Sequence, residues 1–311
     1  MREKIFNILI IILCLFVLVE LFIKKSLIYS SIIYALNIWV NNLIPALFPF
    51  FIISDILINY NITSYIPKII KDFCKHVFNI NDNMLTILLL SVISGFPSNA
   101  RNTRTLYDKH VIDLDEANHI LIFSHFSNPI FITTTVGLFF FHNEKMGGIL
   151  LISHYLSNIL LGVLFRNYFK HNDSNYSVNS NTCDFGTVFI SSIKKSIDTI
   201  LLICGIVVIF LMLSTIVVDT FNFSNYNEMI IKGLFEITIG LQALSNLGIS
   251  NCYKAIIASM FLAFGGISVH IQVLSQITGT KIKYSYFFIG RIYQLIISGF
   301  ITYFICLIFK I

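Results

Sequence analysis

The chain has 311 residues, of which 56% are hydrophobic and only 12% charged, against roughly 25% charged in soluble proteins. The net charge of +5 is scattered over short segments, and thirty phenylalanines accompany a single tryptophan. These values exclude an ordinary soluble domain and predict an all-α polytopic membrane protein of about eight spans.

A spanning helix takes about 20 apolar residues, and the stretches 5–23, 147–165, 196–218 and 285–309 reach that length. The start, MREKIFNILIIILCLFVLVE, has the basic head and apolar core of a signal peptide. No small-x-small cleavage pattern follows it, and Glu20, Lys24 and Lys25 do, so residues 1–25 read as an uncleaved anchor helix. Basic residues flank this span on both sides, which leaves orientation open.

A first membrane half is expected over residues 26–165. Within it the apolar run 84–93 stops at SGFPSNARNTR, too short to cross a bilayer. Gly95 and Pro97 end a helix there, since glycine adopts strained dihedrals cheaply and proline has no N–H. Asp113 and Glu116 have capping-box spacing and start the next helix, which meets a second interruption at Asn128-Pro129. Pro129 removes a donor, so a carbonyl near Phe126 needs another partner.

Residues 166–193, beginning RNYFKHNDSNYSVNSNTCDFG, read as a polar linker, and residues 194–311 as a second membrane half. Sliding the chain by about 170 residues lays Gly265-Gly266 on the first break. Two related halves with broken or re-entrant helices are therefore expected, with the site where the breaks lie, because unpaired backbone survives in a membrane only when buried in protein or lining a wet cavity.

The substrate-binding set this predicts is Gly95, Phe96, Pro97, Ser98, Asn99, Asn128, Pro129, Gly265, Gly266 and Ser268. Glu236, Thr238, His270 and Gln272 are the expected coupling or gating groups. A carboxyl such as Glu236 inside a span costs about 2.5 to 3.5 kcal/mol and is a functional candidate. An interfacial helix with Glu236 reaching water is the alternative. His125 and His154 read as helix-packing histidines; Arg101, Arg104 and Arg291 as anion attractors or snorkelling anchors; Asp55 as a secondary candidate.

Six cysteines form no close pair, and no HExxH, GxxxxGK[ST] or GxSxG is present. No enzyme chemistry, metal or cofactor is expected. The expected partners are the lipid bilayer, a small anionic or polar solute and a coupling ion, Na+ or H+. Self-association is left open, and no nucleic acid is expected.

LIPALFPFFIISDIL, SGFPSNAR, SNPIFITTTVG, GGILLISHYLSNILLGVLFR, KGLFEITIG and FGGISVHIQVLS, in this order, resemble the YlbJ-like sporulation integral membrane proteins. That family carries a nucleoside-recognition or gate domain. The resemblance spans about Ala35 to Phe304 and implies distant similarity to concentrative nucleoside transporters. It also implies a role in the mother cell, moving a small metabolite toward the forespore across the mother-cell-derived membrane, with dipicolinic acid the first candidate. A nucleoside-like solute, or a non-transporting gate or scaffold partner, is the alternative. The chain departs from the family's Gly-Tyr-Pro-x-Gly-Ala-Lys pattern by carrying Asn99 and Arg101 at its fifth and last positions.

Overall fold

The computed structural model describes residues 2–169 and 184–309, and every regular element in them is a helix. Half of the expected polar linker, residues 170–183, lies outside the described residues. Six described helices are long and apolar enough to cross a bilayer, or seven with one bent pair counted as a span. The chain is an all-α polytopic membrane protein.

α1 (Arg2–Ile23) is an apolar rod whose side chains, Phe6, Ile11 and Leu15 among them, face outward. It touches the bundle through Val17 and Leu21 near its end. α2 (Lys25–Ile38) and α3 (Ile44–Asn59) run on through a π-helical stretch, Trp39–Leu43. Pro45 has no N–H to give at this point, and the ladder widens to a bond from the Ile44 N–H to the Trp39 carbonyl. α9 (Phe185–Phe221) begins inside the segment expected as linker and lies antiparallel to α2 and α3. Ser31 meets Thr215 at 3.0 Å near one end, and Ser192 donates to Asp55 at 2.8 Å near the other.

Between these long helices the chain builds one unit twice. In the first copy α5 (Asp82–Ser94) and α6 (Ser98–Asp108) form a hairpin with its tip at Gly95–Pro97. α7 (Leu114–Phe123), begun by a complete Asp113/Glu116 capping box, then breaks at residues 124–129. It resumes as the π-helix Phe131–Phe140, and α8 (Glu144–Phe165) returns. In the second copy α10 (Asn225–Phe235) and α11 (Ile237–Ser245) form the hairpin with Glu236 alone at its tip. α12 (Asn251–Phe264) breaks at Gly265, α13 (Gly266–Ile277) completes the crossing, and α14 (Tyr284–Phe309) returns.

Contacts fix the direction of each copy. Asn79 bonds the Arg166 carbonyl, Lys109 bonds Asn59, and Arg104 bonds the carbonyls of Gln276 and Thr278. The start of the first hairpin and the ends of α3, α6, α8 and α13 therefore share one face, which also carries the amphipathic helix α4 (Lys68–Phe78). Lys24 pairs with Asp219, placing the end of α9 and the start of the second hairpin on the opposite face. The two copies are inverted.

Element order corrects the expected repeat spacing. A shift of about 170 residues lays a hairpin tip on the break of a crossing helix, whereas tip on tip and break on break correspond at about 140 residues. The cause is that the second tip carries no glycine or proline, so the Gly265-Gly266 break imitates the first tip in sequence.

Candidate functional site

Both tips and both breaks converge at the centre of the bundle. Within each copy the tip sits against the break of the following crossing. A Cβ on Gly95, whose φ is +76°, would lie 2.7 Å from the Asn128 amide nitrogen. A Cβ on Gly266, φ +72°, would lie 3.1 Å from the Gly233 carbonyl and 3.3 Å from the Ile237 amide nitrogen of the second hairpin. Only glycine permits both the dihedral and the approach.

Between the copies lies a small cavity, with about 20 Å³ of space for the centre of a water-sized sphere. Phe96 lines it from the first tip, Ser127, Asn128 and Phe131 from the first break, and Glu236, Ile237 and Thr238 from the second tip. Val269 and Gln272 of α13 close one wall, and Leu43, Ala46 and Leu47 another. Ile203 and Val207 of α9 complete the apolar side. A cavity of this size admits a water molecule and not a metabolite-sized ring.

Of the residues expected from sequence, Phe96, Asn128, Glu236, Thr238 and Gln272 line this cavity. Asn128 is committed internally. Its amide donates to the carbonyls of Ala46 at 2.9 Å and Ile93 at 3.0 Å, and its Oδ1 accepts from the amides of Ile130 and Phe131. One side chain thus caps the π-helix and ties it to α3 and α5.

Glu236 is likewise a cap: its Oε2 accepts from the Thr238 and Ile239 amides, at 2.8 and 3.2 Å, and from the Thr238 hydroxyl. It is buried at a hairpin tip, not on an interfacial helix with its carboxyl in water.

His270 turns away from the cavity. Its ring is placed between the Tyr284 hydroxyl, 2.7 Å from Nδ1, and the Phe264 carbonyl, 3.0 Å from Nε2. It thereby holds a carbonyl at the second break. α13 is helical from Gly266 onward, so His270 and Gln272 face different sides.

The breaks leave polar atoms unspent. Ser98 accepts from Asn102, but both side-chain polar atoms of Asn99 and the Ser268 hydroxyl are buried without a hydrogen-bond partner. The hydroxyls of Ser124 and Ser127, and both ring nitrogens of His125, are in the same state at the first break. His125 is therefore not the hydrogen-bonded packing histidine expected. His154 is: it accepts from the Ser127 amide at 2.9 Å. Pro129 is half-buried, and the carbonyl four residues before it, at His125, takes a 2.8 Å bond from Asn158; Tyr155 bonds the Ser127 carbonyl.

Two residues that the sequence marks only as charges at membrane depth gain their roles from the fold. Arg291 of α14 is fully buried and donates to the carbonyls of Ile122, His125 and Ala263, so it joins both breaks. Asp55 of α3 is buried with Arg101 at 3.7 Å and Lys195 at 3.6 Å, linking the first hairpin to the long-helix pair. Intramembrane charge was the signal for both, but only the fold gives their partners.

Inverted units with hairpin tips and broken crossings around a central cavity define a polytopic membrane protein built from two inverted units. The chain is similar to the sporulation integral membrane protein YlbJ of Bacillus subtilis (strain 168), to which it is 28% identical over 297 aligned residues. That alignment covers 83% of this chain and 72% of the relative. No family model matches the chain, and no solved structure matches it.

Proposed function

We propose that the protein is a non-enzymatic carrier that moves a small polar or anionic metabolite across a membrane of the sporulating cell, with dipicolinic acid as the first candidate. The observation that supports it is the convergence of two hairpin tips and two helix breaks, from inverted units, on one cavity. Inverted units are suited to exposing one central site to either face in turn. The apolar wall suits a flat ring, and the free hydroxyls of Ser127 and Ser268 and the free amide of Asn99, with the Ser98 hydroxyl that accepts from Asn102, suit carboxylate oxygens. Glu236, at the second tip and in the cavity wall, is the group suited to couple movement to a proton or Na+. The relative's name supplies the sporulation setting, and the mother-cell-derived membrane is the location that fits it.

The test is uptake of dipicolinate into liposomes containing the purified protein, alongside the dipicolinate content of spores from a strain lacking the gene. Uptake should be lost when Ser98 and Ser268 are both replaced by alanine, with the thermal transition of the protein retained. Normal uptake by that variant would remove these residues from the site. Wild-type liposomes that take up neither dipicolinate nor a nucleoside, together with spores of normal dipicolinate content, would favour a gate or scaffold role.

A further inference from the structure

Arg291 is an unbalanced cation. Its side chain is fully buried in α14, yet no described carboxylate lies within 4 Å of it. The other buried arginine, Arg101, has Asp55 at 3.7 Å. Removing a charge from water without a counter-charge is costly, and an intramembrane cation in this state calls for a partner.

The carbonyls that Arg291 meets do not exhaust it. The bond to Ile122 is 2.9 Å and the Gln294 Oε1 takes another, but those to His125 and Ala263 are long at 3.5 Å, and Nε has no partner. Beside it the His125 ring, with both nitrogens unpaired, stacks on Phe96 at 5.1 Å between ring centres and meets Phe287 edge-on at 4.9 Å. The guanidinium carbon in turn lies 5.3 Å from the Phe287 ring centre. Phe96 and Ser127 both line the central cavity. The positive centre is thus separated from the cavity by one layer, the Phe96–His125 stack.

Resting on the carrier reading above, we propose that Arg291 is the counter-charge for a carboxylate of the carried solute, reached when Phe96 swings off His125. Guanidinium donors match a carboxylate in geometry and charge, and His125 and Ser127 supply further polar groups on the approach. The small size of the closed cavity follows from Phe96 occupying the entrance to this subsite.

The full chain in detergent tests this by ligand-induced thermal stabilisation. The probes are dipicolinate, benzoate, chloride and the neutral pyridine-2,6-dicarboxamide. The wild type should be stabilised by a carboxylate at concentrations where the diamide and chloride have no effect. Arg291→Gln should weaken carboxylate binding by at least about tenfold and Arg291→Lys by less, with any diamide binding unchanged.

Phe96→Ala, which removes the screening ring and leaves Arg291 in place, should keep the preference for carboxylates, so the test survives if Arg291→Gln does not fold. Loss of that preference in Phe96→Ala, or equal weakening of carboxylate and diamide in Arg291→Gln, would overturn the proposal. So would a wild type that shows no preference for carboxylates or responds equally to chloride. Stabilisation by benzoate without dipicolinate would support the Arg291 subsite and overturn dipicolinate as the solute. Binding of the diamide alone would overturn the subsite and leave a carrier of neutral solutes standing.

Discussion

A single amide at the first break shows how a polar residue at membrane depth is put to structural use. Asn128 donates twice and accepts twice, so all of its ordinary hydrogen-bonding capacity is spent on the backbones of three elements. Asn128→Ala removes a cap and strands two buried carbonyls, and should cost about 2 to 4 kcal/mol. Asn128→Asp keeps the accepting oxygen but sets a carboxylate against the Ala46 and Ile93 carbonyls, and should be no more stable than the alanine variant. Thermal unfolding in detergent checks both. An alanine variant as stable as wild type but defective in ligand binding would reverse the assignment. The sequence marked this residue through its proline neighbour, but the role expected of it, ligand contact, could not be told from a clamp, because all four of its partners are main-chain groups, two near it only in space and two in the turn it caps.

The two hairpins are held in different ways, which bears on which of them moves. The arms of the second touch through glycines: a Cβ on Gly240 would lie 2.2 Å from the Gly233 Cα, and its tip is capped by Glu236. The first is attached by charge, through Arg101 to Asp55, with Ser192 and the half-exposed Lys195 on the same carboxylate. Arg101 also lies over the Phe51 ring at 5.5 Å. Asp55→Ala leaves Arg101 buried without its counter-charge and should destabilise by about 3 to 5 kcal/mol, whereas Asp55→Asn keeps an acceptor for Ser192 and should cost less. A cysteine placed at Thr105, which is half-buried on α6, should react faster with a maleimide in Asp55→Asn than in the wild-type background. Unchanged reactivity would show that the ion pair does not restrain the hairpin. The first tip was legible in sequence because glycine and proline interrupt a run of leucines. The second was not, since a lone glutamate between KGLF and ITIG breaks the helix with no residue that advertises a turn.

Across the whole molecule, the fold makes readable a charge pattern that the linear sequence leaves ambiguous. Spans such as α8, α9 and α14 are evident from apolar length alone, whereas which loops share a face depends on the hairpins returning to the side they enter from. Sorted by face, Lys68, Lys71, Lys75, Lys109, Lys281 and Lys283 lie on loops and short helices at the α4 face, with Arg166 at the end of α8. The opposite face carries Lys24 and Lys25, then Lys145 and Lys254 at the starts of α8 and α12 and Lys232 within α10. Lys24 and Lys232 on that side are neutralised by Glu20, Asp219 and Glu228. Excess lysine and arginine in short loops marks the cytoplasmic side, so the α4 face is predicted to be cytoplasmic. α4 fits there: Lys68, Lys71 and Lys75 accompany exposed Ile69 and Phe73, the pattern of a helix lying on an anionic leaflet. With the protein expressed in the plasma membrane of vegetative cells, a single cysteine at Gly279, between α13 and α14, should be shielded from an impermeant maleimide in intact cells and labelled after permeabilisation, and one at Gly248, between α11 and α12, should be labelled in intact cells. The reverse pattern would invert the assignment and with it the side from which each hairpin enters the membrane.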